Sequence, residues 1–433
     1  MKKMKYSKRW LAALCLTAVL SMTAACGDNA AQNTAVENTI NDTEVNEEET
    51  DNVSDMGGDE AGTEAAINDE TASDNTENGA VNETSANDED QYKAEIDKLL
   101  STDAVLPAET ELLAQMAACV TFSRILDEEG VVFSKMDSYK QGALRTQILK
   151  EVLSSENAFS GAITITQADD KYDADMLIPV DEAIAFFKDV FGAEDFTKGD
   201  HFERVEDGYI LWSYGDGDPW ERIEHMQFFS DDNYYLLTGP SFYEDNSGST
   251  KFMGYADILF EKNADSRYGV TLTYGRYRNE KIKVSSVEAT SELAAASGKN
   301  YSAGNLIDGD YSTAWVEGVQ GVGVGESFTL HLDKSQPVYG VQICNGYTEN
   351  YDLYTKNGML ASVKVDFGNG KVIEDNVYGY GFENADTDYL AELNLNRIEL
   401  DEPVVTDKIT ITITSASVGT KYDDTCVSEV VVY

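Results

Sequence analysis

Carboxylates crowd one short stretch of this chain. Asp216, Asp218 and Glu221 flank Trp220 in the run Gly215-Asp216-Gly217-Asp218-Pro219-Trp220-Glu221. Paired carboxylates can act as general acid and base, or hold a hard cation. The competing reading is a hairpin turn, since Gly, Asp and Pro punctuate tight turns for backbone reasons. The spacing does not match an EF-hand loop and no acidic partner closes it, so the turn is favoured. His201 and His225 are the histidines of this region, and neither has a Cys or Ser motif beside it. No nucleophile elbow, phosphate loop or paired-His metal motif occurs. No catalytic residue is assigned, and the reading leans away from an enzyme.

The cysteines divide by position. Cys15 lies in the N-terminal apolar run and Cys26 follows small residues; Cys119, Cys344 and Cys426 fall in the folded part. No paired spacing or nearby His suggests zinc. Cys119 sits in an Ala-rich helical stretch and reads as a small buried residue. Cys344 and Cys426 lie in strand-like runs and can pair in an oxidising compartment, but strand adjacency cannot be read from spacing.

Where the chain is held is expected from its beginning. Lys2, Lys3, Lys5, Lys8 and Arg9 precede an apolar run from Leu11 to Leu20, too short to span a bilayer as a stable helix. Thr23-Ala24-Ala25-Cys26-Gly27 then resembles a bacterial lipobox, with Thr23 departing from the usual Leu. Residues 1–25 are read as a lipoprotein signal peptide and Cys26 as the acylated residue, two or more chains being needed for stable anchoring. The alternative is an ordinary secretory signal cut at Ala25. The expected location is the cell membrane, lipid-anchored on its extracytoplasmic face.

Residues 26–90 are read as an acidic, disordered tether. From residue 27 they contain no Lys, Arg or Pro. Such a segment buries too little apolar surface to offset its ordering entropy. Its r.m.s. span is roughly 45 Å, more with charge repulsion. The formal net charge of -47 argues against nucleic acid as a partner, because phosphates are repelled.

Residues 91–285 read as an α+β domain of no recognised family. Ala94–Leu100, Glu111–Leu126, Leu144–Leu153 and Pro179–Phe191 carry apolar residues three and four apart. Pro179 opens the last of these and Gly192 stops it. Short aromatic-rich runs follow: Tyr209–Tyr214, His225–Phe229, Tyr234–Thr238, Ala256–Phe260 and Tyr268–Arg278. They predict an antiparallel meander.

Residues 286–433 change character again. Thr329–Leu332, Val338–Ile343, Ser362–Phe367, Lys408–Thr414 and Val427–Tyr433 read as strands bounded by turns. Many short strands with few helical periods predict a β-sandwich. His331 lies mid-strand and reads as packing. Three segments are distinctive: Asn305 to Trp315 with its Asp308-Gly309-Asp310 turn, Gly321-Val322-Gly323-Val324-Gly325-Glu326, and Asp423 to Val430. Together they resemble the discoidin-like, coagulation-factor type C jelly roll. The variant most similar is the NADase-type glycan-binding (NAD glycohydrolase translocation) domain. The architecture expected is therefore multidomain: an α+β middle domain, then an all-β galactose-binding-like sandwich.

The resemblance implies a carbohydrate ligand and, structurally, a Ca²⁺ ion. The calcium set maps onto Asp308, Asp310, Thr313 and Glu429, with carbonyls such as that of Asn305, because calcium takes hard oxygens converging on a tight Gly turn. Trp315 is normally core in this family. Tyr347, Tyr351, Tyr354, Tyr378 and Tyr380 are the aromatic candidates for stacking on a sugar, and Tyr422 and Asp424 border the same surface. The family usually places an Arg soon after an Asn where this chain has Asn357-Gly358-Met359-Leu360; without that fork of donors the ligand can differ. The function read is a surface-anchored lipoprotein that binds glycan. The alternatives are an enzyme whose middle domain acts on a wall or host polymer, and a protein-binding scaffold.

Overall fold

A computed structural model describes residues 82–152, 158–159, 161–172, 176–192, 204–205, 208–211, 220–244 and 250–433. The anchor at Cys26, the tether up to residue 81, His201 and the turn at Asp216 and Asp218 lie outside the described residues. Residues 82–433 fall in one compact unit.

Among the described residues, the middle region has four α-helices: α1 (Asn82–Leu100), α2 (Thr110–Phe122), α3 (Ser138–Val152) and α4 (Val180–Phe191). Its strands are β1 (Val131–Val132), β2 (Thr166–Gln167), β3 (Met176–Pro179), β4 (Arg204–Val205), β5 (Gly208–Leu211), β6 (Trp220–Ile223), β7 (Gln227–Ser230), β8 (Tyr234–Glu244), β9 (Thr250–Lys262) and β10 (Val270–Arg278). The expected meander is β8, β9 and β10, sequential and antiparallel, in a sheet ordered β1-β10-β9-β8-β6. The Tyr209 run does not join it: β5 pairs with β3 and β4 in a separate small sheet.

Helix α4 shows why its residues form a helix. Ala183, Phe186, Phe187, Val190 and Phe191 recur on one face and are buried. Gly192 closes it at φ 68°, a left-handed cap that costs a residue without Cβ little, and its N–H donates to the Lys188 carbonyl at 2.8 Å. Each buried Phe contributes about 1.5–3 kcal/mol of transfer free energy. This face meets Ile178, Phe159, Val270 and Leu272 in the main core.

One boundary moves. The tether was expected to run to residue 90, but α1 starts at Asn82. Ile96 and Leu99 bury the C-terminal half of α1 against Leu259 and Tyr274. Once that half is docked, each further residue adds a hydrogen bond without a new nucleation cost. The Lys135–Asp88 ion pair holds the extension.

The sandwich contains β11 (Val284–Ala289), β12 (Trp315–Val316), β13 (Ser327–Asn345), β14 (Gly358–Asp366), β15 (Val372–Asn376), β16 (Leu395–Ser417) and β17 (Thr425–Val432), with two short helices, α5 (Tyr351–Lys356) and α6 (Thr387–Leu393). Strand order is β11-β13-β16-β14-β17-β12, and β13 also pairs with β17. The first strand starts at Val284, two residues before the expected domain start. Trp315 is fully buried, its ring edge-on to Phe328 at 5.2 Å and its indole N–H donated to the Ser291 carbonyl at 3.1 Å.

The two folded parts dock. Phe252 stacks on Tyr433 at 5.1 Å and Phe242 meets the same ring edge-on. Arg397 lies over Phe242 at 3.6 Å and pairs with Glu224 at 2.5 Å. Gln342 donates to the Thr250 carbonyl at 2.7 Å and accepts from the Phe252 N–H at 3.2 Å.

Candidate functional site

The segment Tyr378-Gly379-Tyr380-Gly381-Phe382 alternates aromatic residues with glycine, and the structure explains the alternation. A Cβ on Gly379 would lie 2.4 Å from the Met359 sulfur and 2.6 Å from the Tyr354 hydroxyl; one on Gly381 would lie 3.1 Å from the Tyr351 ring. The glycines press inward and the rings between them face out. Tyr378 is 59 % exposed, Tyr380 61 % and Phe382 57 %.

Three amides hold this backbone, Asn345 and Asn394 buried and Asn396 half-buried. Asn394 accepts from the Tyr380 N–H at 2.8 Å and donates to its carbonyl at 3.0 Å. Asn396 does the same for Tyr378, at 2.8 and 2.9 Å. Asn345 donates to the Tyr378 carbonyl at 3.1 Å and clamps Leu360 with its other contacts. The rings therefore stand on a fixed loop, which lowers the entropy lost on binding. Phe382 and Tyr389 of α6 meet edge-on at 5.8 Å, extending the aromatic surface.

The expected tyrosines divide. Tyr378 and Tyr380 are on the exposed loop, and Tyr351 is half-buried under it. Tyr422 is 41 % exposed, with the Lys421 ammonium 4.7 Å over its ring. Two are corrected. Tyr347 is 4 % exposed and packs edge-on to Tyr301, its hydroxyl accepting from Lys299. Tyr354 is 2 % exposed and donates its hydroxyl to Asn394 at 2.6 Å. Neither offers a ring face to solvent; both support the loops above them. Asp424 is partly buried and its carbonyl accepts from the Gly358 N–H at 2.9 Å. Burial, then the charge of Asp423, raises its carboxyl above the usual value. Phe382, Tyr389 and the three asparagines were not singled out from sequence. The period-two aromatic–glycine alternation was the available signal for Phe382.

The expected calcium residues lie on two elements, the turn and β17, linked by the Gly309 N–H. Gly309, at φ 76°, turns the chain sharply. Asp308 accepts from the Asp310 N–H at 2.9 Å and the Thr313 hydroxyl at 2.8 Å. Asp310 accepts from the Ser312 N–H and hydroxyl, contacts that lower its pKa. Glu429, from β17, accepts from the Gly309 N–H at 3.0 Å. The Asn305 side chain is occupied, donating to the Asn300 and Ala314 carbonyls at 2.8 Å, so it holds the turn. Burial raises the Glu429 carboxyl to about 8; the Gly309 N–H opposes this, and the charges of Asp308 and Asp310 add to it. A buried acid facing two others, with oxygen donors alone, fits a hard cation. The three acids are not drawn into a tight cluster: among the described residues, the group of three with ligand atoms within 4.8 Å of one another is Glu224, His225 and Glu399. Arg222 and Arg397 already pair with those carboxylates.

Cys344 and Cys426 are free and buried. The β13–β17 register sets Cys344 opposite Glu429, so the two thiols are not partners. Glu221 lies in β6, buried, and accepts from the Tyr277 hydroxyl.

Residues 276–433 match the family model of the NAD glycohydrolase translocation F5/8 type C domain. Solved structures similar to the chain include carbohydrate-binding modules and an arabinofuranosyltransferase from Mycobacteria. One is the CBM32 of AlyQ in complex with 4,5-unsaturated mannuronic acid, at 16% identity and TM-score 0.24, covering 36% of this chain and 98% of that one. Another is the family 32 module from C. perfringens NanJ in complex with galactose, at 21% identity and TM-score 0.23, covering 34% and 91%. A third is a pectin binding module, at 18% identity and TM-score 0.23, covering 35% and 91%. The search of the curated proteins found no match. The C-terminal region is an all-β sandwich that matches the F5/8 type C family model, preceded by a region of helices and strands.

Proposed function

We propose that this chain is a bacterial lipoprotein, anchored through Cys26 on the extracytoplasmic face, that binds carbohydrate through its C-terminal sandwich. The observation that carries the binding reading is the exposed aromatic row Tyr378, Tyr380 and Phe382 on a backbone fixed by Asn345, Asn394 and Asn396. Aromatic faces stack on the C–H face of a pyranose, and a rigid platform loses little entropy when it does so. Tyr351 and Tyr422 border the same end of the sandwich. One Ca²⁺, held by Asp308, Asp310, Thr313 and Glu429 with turn carbonyls, ties the first loop of the sandwich to its last strand. The ion's role is structural.

A glycan array probed with the mature chain tests the binding reading. Wild type is expected to retain a defined set of sugars and Tyr380→Ala to lose them. The side chain is exposed, so its removal should change stability by no more than about 0.5 kcal/mol. Binding that survives Tyr380→Ala, Tyr378→Ala and Phe382→Ala together defeats the assignment of this loop.

A further inference from the structure

The aromatic row has an acidic collar. Residues 378–394 carry Glu383, Asp386, Asp388 and Glu392 and no Lys or Arg. Glu392 is matched by Lys251 at 3.2 Å. On the neighbouring segment, Glu349 pairs with Lys299, and within α5 Asp352 pairs with Lys356 at 2.5 Å. Among the described residues, no Lys or Arg pairs with Glu383, Asp386 or Asp388, and all three are exposed. They lie on the stretch between Phe382 and Tyr389, the two rings in edge-on contact. Lys251, Lys299 and Lys356 are thus already paired with carboxylates, whereas Lys421 lies over the Tyr422 ring; on the aromatic loop itself the surplus charge is negative.

We infer that the aromatic loop selects sugars by charge: it excludes uronic and other acidic glycans and prefers a hexosamine whose amine is free and protonated over its N-acetylated form. This rests on the carbohydrate reading above. A sugar carboxylate stacked on Phe382 or Tyr380 would be brought among like charges while losing water. An ammonium there meets carboxylates that no cation already holds. The preference comes from exposed charges, so it is modest and screened by salt.

The test is titration of the mature chain with oligomers of glucosamine, N-acetylglucosamine and galacturonate of equal length, at about pH 5.5, where the glucosamine amines are protonated. The glucosamine oligomer is expected to bind roughly five-fold tighter than the acetylated one, with no binding of the uronate. High salt should bring the two amino sugars together. The double variant Glu383→Gln, Asp388→Asn should do the same at low salt; Asp386 is left intact because it caps α6 by accepting from the Tyr389 N–H. Uronate binding as tight as the others, or a preference untouched by the double variant, overturns the charge selection and leaves sugar binding standing. No binding to these oligomers or to any glycan on the array overturns the carbohydrate reading and this inference with it.

Discussion

Asn394 has no solvent contact, and its side chain makes four hydrogen bonds: from the Tyr354 hydroxyl and the Tyr380 N–H, and to the Tyr380 and Leu390 carbonyls. It joins a buried ring to the exposed loop, so Asn394→Ala should cost about 2–4 kcal/mol through the groups left unpaired, and should also release the loop. Thermal melting reads the first effect and glycan binding the second; loss of neither would remove Asn394 from the argument. At this scale residue type was legible and orientation was not. Trp315 read as core because it follows directly from the Asp-Gly turn into a strand. Tyr347 and Tyr354 read as ligands because they share a loop with Tyr351. Their burial is decided by partners distant in sequence, among them Tyr301 and Asn394, which no local spacing reveals.

Elements with strong periodicity were legible, and short ones were not. Helix α4 has apolar repeats, an opening Pro and a closing Gly. Helices α5 and α6 are six and seven residues long and depend on caps: Asn350 accepts from the Leu353 N–H and Asp386 from the Tyr389 N–H. Neither stretch is assigned an element from sequence. The calcium turn belongs to this scale as well, because it joins a loop to β17. Without a cation, buried Glu429 faces Asp308 and Asp310. If calcium binds only the native form, free Ca²⁺ at about 100 times Kd should add about 2.7 kcal/mol of stability. Melting with chelator and with millimolar Ca²⁺ checks this, and Glu429→Gln should shrink the response. Superimposed curves would show that the turn holds no ion.

At the scale of the molecule, two regions with separate cores meet across an interface that sequence could not show, since Glu224 and Arg397 are strangers in the chain. If Cys26 is acylated, Cys26→Ala should abolish incorporation of a fatty-acid analogue and release the protein from membranes, and equal labelling of the variant would refute acylation there. The interface itself should be sensitive to acid. Burial disfavours the charge on Glu224, but the hydrogen bond and charge of Arg397, joined by those of Arg222, outweigh it and hold the carboxyl below its usual value. His225 is lowered from its ordinary 6.5 mainly by burial; Arg397 adds to this, while Glu224 and Asp401 oppose it. Glu399 also faces the ring, at 3.7 Å, and Tyr339 packs against it at 5.2 Å. Both shifts have the same consequence. A depressed His contributes stability that is present above its unfolded value and is lost as pH falls through its folded value. A depressed Glu contributes stability present above about 4.5, lost at still lower pH. Docking should therefore weaken in two stages on acidification, the first beginning below about pH 6.5. His225 adopts φ 46°, which Asn tolerates better than most residues. His225→Asn should flatten the first stage and leave the second. Melting of residues 82–433 from pH 8 to pH 4 reads both, and a first stage unchanged in the variant would show that another group is titrating.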